Sequence, residues 1–238
     1  MTEALHRTIL LFDIEKFGTR DDVEQAFLRR LLYDVADGTL RAAHINETSR
    51  LRADRGDSVV ELIDATVPVS TLVKALLTET PMLLHAKNRL SAASNRMRLR
   101  VVLAAGYVAV DEKGWIGSDL NHAFRLLDAE PLREALRNSA DNSVLCVSDT
   151  VYQGVVRHGH HGVRSEEFRQ ITVQAKEGPT IAWLHKTAPL LSLSTPDTPP
   201  SAGSDRASGG THIMGSQYGI AGGEVNGDVS FDLRGERP

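Results

Sequence analysis

Hydrophobic positions along this chain follow two periods in turn, and their alternation predicts strands and helices in a definite order. Residues 8–12 form an apolar run leading into Asp13 and Ile14, the pattern of a strand buried on both faces. Over residues 21–37, Val23, Phe27, Leu31, Leu32 and Val35 recur at helical spacing, and Gly38 supplies a stop. A polar strand near Ser49–Ala53 and a second strand over Ser58–Ile63 flank Asp54-Arg55-Gly56-Asp57, the tip of a hairpin. Residues 70–90 are helical in pattern, with a kink expected at Pro81. A long strand follows over 96–110, because Met97, Leu99, Val101 and Leu103 alternate with Arg98, Arg100, Val102 and Ala104, and a polar turn over Asp111–Gly114 closes it. Helix is expected over Leu120–Asn138, restarting at Pro131. Strands over Val144–Val147, Arg169–Ala175 and Thr180–Leu184, with a short helix near Asp149–Val156 capped by Asp149 and Thr150, complete the pattern.

The order βαββαβ, then more helix and strand, gives an α+β class: a ferredoxin-like core with C-terminal extensions, its sheet covered by helices on one face. No internal repeat is visible at periods of 20–50 residues. The pattern ends near Thr187, beyond which lie five of the nine prolines and nine of the nineteen glycines. The chain therefore divides into a folded body over 1–186, a flexible Pro/Ser/Gly linker over 187–211 and a Gly-rich, β-prone tail over 212–238. In the tail, Val225, Gly227, Val229, Phe231 and Leu233 alternate with Asn226, Asp228, Ser230 and Asp232, a strand pattern with one apolar face. Strands on a tether are not stable alone, so the tail makes sense when it pairs with copies of itself or a partner.

Composition narrows the function. A net charge of −4 leaves no surface basic enough to coat a phosphate backbone, so a nucleic acid partner is not expected. The single cysteine, Cys146, excludes a disulfide framework and a cysteine zinc site, and its apolar setting reads as core. His158, His160 and His161 fall among glycines and read as a loop. No run is long enough to span a membrane and the N-terminal run is too short for a signal sequence, so a cytoplasmic protein is expected.

Two sets of residues stand out chemically. Asp13 follows a strongly apolar strand, and Asp57 sits at a hairpin tip beside Gly56; a ferredoxin-like core makes these neighbours. Either they are a strand end and a turn residue, or they converge as hard oxygen ligands for Mg²⁺ or Mn²⁺, ions that arrive with a phosphate substrate. Asn121 and Arg125 share one helix face, which is either solvated or suited to a sugar oxygen and a phosphate.

Taken together, the segments 11–18 (LFDIEKFG), 54–58 (DRGDS) and 115–126 (WIGSDLNHAFRL) resemble the class III nucleotidyl cyclase catalytic domain: its first metal motif, its Gly-Asp hairpin and its Asn/Arg helix, in the family's order. The likeness spans about residues 5–185 and is greatest to actinobacterial cyclase-like proteins with Arg-Gly-Asp hairpins. It implies that Asp13, Asp57 and the Ile14 carbonyl bind metal, that Asn121 orients a ribose, and that Arg125 stabilises charge on phosphorus. It further implies a nucleoside triphosphate substrate and a head-to-tail homodimer whose sites draw Asp13 and Asp57 from one protomer and Asn121 and Arg125 from the other. Lys16 and Phe17, inside the first motif, and Arg52, before the hairpin, are candidate substrate contacts. The family usually has glycine where Lys16 stands, so this lysine either touches the triphosphate or blocks its approach. The purine-reading pair aligns with Ala53 and Gly114, neither of which hydrogen-bonds a base through its side chain; Arg52 and Lys113 are the adjacent substitutes. The tail segment 222–231 resembles a bacterial amyloid signalling motif, implying an NLR-type partner with a cognate motif. The resulting expectation is a cyclase making a 3′,5′-cyclic nucleotide. The alternative is an inactive cyclase-fold module that acts through self-assembly of its tail.

Overall fold

The computed structural model describes residues 3–174 and 178–186; the linker over 187–211 and the tail over 212–238 lie outside the described residues. In chain order the elements are β1 (Leu5–Ile14), α1 (Asp22–Ala42), β2 (Arg50–Asp54), β3 (Ser58–Asp64), α2 (Val69–Arg89) and β4 (Leu99–Asp111), then β5 (Gly114–Ile116), α3 (Ser118–Asp128), α4 (Glu130–Arg137), β6 (Ser143–Ser148), α5 (Asp149–Gly154), β7 (Phe168–Val173) and β8 (Thr180–His185). One mixed sheet runs β2-β3-β1-β4-β6-β8-β7, with β5 added to β4. Its first four strands are the antiparallel ferredoxin-like core, and β6 extends it by pairing parallel to β4. The sequence-based α+β reading is thus the observed architecture, with β5 as an additional short strand.

Helices cover both faces of the sheet, not the single face expected. Leu10, Phe12 and Ile14 of β1 pack with α1 and α2 residues such as Leu32 and Leu76, while Ile9 and Leu11 pack with Leu120 and Leu126 of α3 and Leu132 of α4. The reason lies in β4: its second set, Val102 and Ala104, is small and apolar and makes a core face of its own opposite Leu99, Val101 and Leu103.

Gly38 does not stop α1. It lies inside the helix where α1 meets α2, and a Cβ there would stand 2.6 Å from Leu83 Cδ1. The actual stop is six residues later: Ile45 N donates to Leu40 O (2.9 Å) and His44 N to Arg41 O (3.0 Å), with His44 at φ 58°, a left-handed helix cap. The second helix runs through Pro81. The short helix after β6 is capped by Ser148, whose Oγ accepts from Val151 N, and not by Asp149 or Thr150; Asp149 instead accepts from Trp183 Nε1 at 2.9 Å. Asn88 ties α2 to the strand that follows it, its buried amide exchanging two 2.8 Å hydrogen bonds with the Met97 backbone. Among the described residues no helix is long and apolar enough to cross a membrane.

Candidate functional site

Strand pairing assembles the first part of the site. The β1–β3 register sets Asp13 opposite Ser58, and Ile14 N donates to Asp57 O (3.0 Å), so the end of β1 and the hairpin tip are one structure. The tip is shaped by Gly56 at φ 85°, whose N–H donates to Asp54 Oδ1 (2.7 Å). Asp54 is itself anchored to α1, accepting from Tyr33 Oη at 2.6 Å and pairing with Arg29. Period-two alternation points Asp13 to the face of Ile9 and Leu11, the side covered by α3.

Asp13 is 7% exposed, and its neighbour across the β4 pairing is Arg100. The guanidinium bonds Asp13 through Nε (2.8 Å) and Nη2, and both bonds end on Oδ2. Burial pushes the Asp13 carboxyl up to about 6; Arg100 pulls it down, and the nearby charges of Asp57 and Asp128 push it further up. Asp13 is thus a buried carboxylate short of positive charge, with Oδ1 left beyond its arginine. Asp57 adds an exposed carboxylate beside it. Such hard donors with unmet charge suit a divalent cation of the Mg²⁺ or Mn²⁺ type. Among the described residues no set of three or more His, Cys, Asp or Glu is placed to hold a metal, so a bound cation would take its remaining ligands from backbone, water or substrate.

The third helix carries the second part. Leu120, Ala123, Leu126 and Leu127 bury one side of α3, leaving Asn121 exposed and Arg125 half-buried, one turn apart. Arg125 lines a cleft of about 450 Å³ with Asp128, Ala129, Pro131 and Thr172. His122, beside it, is held below the usual histidine range by burial and by the Arg125 charge, against an opposing pull from Asp119. Asp13, Ile14 and Asp57 form one group, and Asn121 and Arg125 a second on the helix covering the same face.

The remaining candidates are distributed differently. Lys16 is exposed at the turn after β1, in a left-handed backbone conformation (φ 57°, ψ 31°). Phe17 packs its ring against the core beneath α1. Arg52 turns to the opposite face of the sheet from Asp13, where it bonds Glu61 Oε1 and Asp37 Oδ1, each at 2.5 Å. The cause is alternation: Ala53, next along β2, packs on the α3 side, so Arg52 cannot. Glu61 is fully buried between Arg50 and Arg52; burial raises its pKa and the two arginines oppose the rise. Ala53 and Gly114, distant in sequence, do meet: with Asp54, Arg55 and Trp115 they line a cleft of about 370 Å³. Gly114 sits at φ 135°, a conformation side-chain-bearing residues rarely adopt. The Arg55 guanidinium lies 4.4 Å from the Phe124 ring centroid, joining hairpin tip to α3.

Sequence reasoning missed Arg100 and Asp128. A charged residue in an otherwise apolar strand was the available signal for Arg100; nothing local marked Asp128, which reaches Asp13 only through the packing of α3. His160, His161 and His185 line a cleft of about 630 Å³ with Glu167 but do not form a metal set. Cys146 is fully buried, its thiol pushed up to about 12 by burial, an inert core residue.

No protein-family profile and no curated protein matches the chain. Solved structures do. The guanylyl cyclase Cya2 superposes with a TM-score of 0.54 at 16% identity, covering 79% of this chain and 96% of that one. An adenylate/guanylate cyclase/hydrolase from Silicibacter pomeroyi gives 0.56 at 17% identity, covering 77% and 98%. A bacterial light-regulated adenylyl cyclase gives 0.54 at 15% identity, covering 79% and 93%. The chain has the cyclase catalytic-domain fold. At such identities the cyclase fold is what is shared.

Proposed function

We propose that this cyclase-fold protein is a nucleotidyl cyclase that converts a nucleoside triphosphate to a 3′,5′-cyclic nucleotide and pyrophosphate. The observation that carries the reading is the Asp13–Asp57 pair: two carboxylates on adjoining strand ends, one buried and short of positive charge, in that fold. Asp13, Asp57 and the Ile14 carbonyl would hold Mg²⁺ or Mn²⁺, which supplies the positive charge that acidifies a ribose 3′-hydroxyl and offsets the triphosphate. The 3′-oxygen then forms a bond to the α-phosphorus as the bond to the pyrophosphate oxygen breaks, and the hydroxyl proton passes to solvent. Asn121 holds the ribose, fixing the angle of attack, and Arg125 neutralises charge growing on the α-phosphoryl oxygens. The reading includes a head-to-tail homodimer in which Asp13 and Asp57 of one protomer work with Asn121 and Arg125 of the other.

The test is incubation of the full chain with each of the four triphosphates and Mn²⁺, with mass detection of product. A cyclic nucleotide is expected from the wild type, and at least about a hundredfold less from Asp57→Ala, whose loss removes a metal donor. No product from any triphosphate overturns the reading. One observation favours a second reading, an inactive cyclase-fold module acting in the cytoplasm through assembly of its tail with itself or an NLR-type partner. Ala53 and Gly114 bring no side-chain donor or acceptor to the cleft they line, and the Gly114 backbone disfavours one.

A further inference from the structure

Among the described residues only Lys16 and His44 carry a left-handed φ without being glycine. His44 is explained by the helix cap it forms after α1. Lys16 has no such account. The backbone on either side of it is pinned: Ile14 N to Asp57 O (3.0 Å), Glu15 N to Arg98 O (2.9 Å), and Thr19 Oγ1 to the Lys16 carbonyl (2.8 Å). These bonds force the turn, and with it a conformation that glycine enters freely and lysine enters at a cost. A side chain kept at a strained position beside a functional site points to work done by that side chain.

That side chain is a cation with nothing structural to do. It makes no cap hydrogen bond and no ion pair among the described residues; its neighbour Glu15 pairs instead with Arg98, at 3.6 Å, and Asp13 with Arg100. It is exposed three residues after Asp13, on the turn that follows Ile14, whose N–H bonds the Asp57 carbonyl. We propose that Lys16 is a polyphosphate contact, its ammonium group donating to the outer phosphates of a triphosphate held at Asp13 and Asp57. The proposal rests on the cyclase reading for the identity of the substrate, and it settles the sense of Lys16: the lysine binds the triphosphate and does not fence it off.

The experiment compares wild type, Lys16→Gly and Lys16→Arg as full chains with Mn²⁺. Calorimetric titration uses inorganic tripolyphosphate, ATP and adenosine as probes, and thermal melts are run in parallel. Lys16→Gly should bind tripolyphosphate and ATP about tenfold or more weakly, as loss of one charged contact implies, with adenosine unchanged. The same variant should melt about 2 °C higher, because the strain is gone. Lys16→Arg should keep affinity within about threefold, since charge is retained. A purely structural lysine would move the melt and leave the affinities alone, so unchanged tripolyphosphate binding in Lys16→Gly overturns the proposal. If the wild type binds tripolyphosphate through Lys16 but yields no cyclic product, the cyclase reading falls and this one stands. If product forms and Lys16→Gly binds as tightly as wild type, only this one falls. A wild type that binds neither tripolyphosphate nor ATP overturns both.

Discussion

Asp13 sits where burial and charge pull in opposite directions, and that conflict has a measurable consequence. Its folded-state pKa of about 6 exceeds the ordinary 3.8, so between those values the folded chain holds a proton that the unfolded chain releases. Stability from this group is therefore complete below about pH 4 and is lost as pH rises through 6, by on the order of 2 kcal/mol. Asp13→Asn accepts the same Arg100 hydrogen bonds without a charge to desolvate, so it should lack that slope. Denaturant unfolding of both proteins in metal-free buffer at pH 4 and pH 7 checks this. The variant should gain on the wild type by on the order of 2 kcal/mol across that range, and parallel slopes would remove the desolvated carboxylate from the account. Lys16 is the second residue at which local cost and local chemistry oppose each other. In both cases the expense falls beside the proposed substrate site.

At the scale of elements, what positions the site is the join between strands and the helices that follow them. The α1–α2 contact is close because Gly38 offers no side chain toward Leu83, which lets the two helices share one core face of the sheet, α1 against β1 and β3 and α2 toward β6. The other join is Asn88, whose amide imitates a strand partner for Met97 as the chain leaves α2 and turns into the strand carrying Arg100. Asn88→Ala leaves the Met97 N–H and C=O without partners in a buried place. It should cost about 2–3 kcal/mol, and Asn88→Asp at least as much, because a buried carboxylate keeps the acceptor for Met97 N–H but cannot donate to the Met97 carbonyl. Equilibrium unfolding in urea measures both; an Asn88→Ala loss below about 0.5 kcal/mol would mean that water reaches this join.

For the whole molecule the decisive question is whether two chains share each site. Asp13→Ala and Arg125→Ala should each be inactive alone if, as proposed, Asp13 is a metal donor and Arg125 the cation that meets the α-phosphoryl group. Under the proposed head-to-tail dimer, mixing them gives heterodimers in which one site carries both lesions and the other neither. A random mixture has about half its dimers mixed, each with one of two sites intact, so activity should return to about one quarter of wild type. No recovery, with subunit exchange confirmed by mass, would place Asp13 and Arg125 in one protomer's site.

The sequence by itself determined what depends on near neighbours. The apolar run broken by Asp13, the Gly-Asp hairpin and the Asn121/Arg125 spacing are local patterns, and backbone geometry turns each directly into a strand end, a turn or a helix face. Adjacency of the strand carrying Asp13 to the hairpin carrying Asp57 followed from the element order. Tertiary structure decided what depends on partners far along the chain. Gly38 looked like a helix stop because its reason for being glycine, Leu83, lies on another helix. Arg52 looked available because it adjoins Ala53 in sequence; alternation turns it to the other face, and the placement of α1 and α3 decides which face is the site. The pairing of Arg100 with Asp13 needed the β1–β4 register, and the influence of Asp128 needed α3 laid across that face. The backbone of Lys16 shows the division most sharply. Nothing about a lysine calls for a left-handed conformation; the bonds of Ile14 and Glu15, just before it, to Asp57 and Arg98, in the chain leading into β3 and β4, impose it.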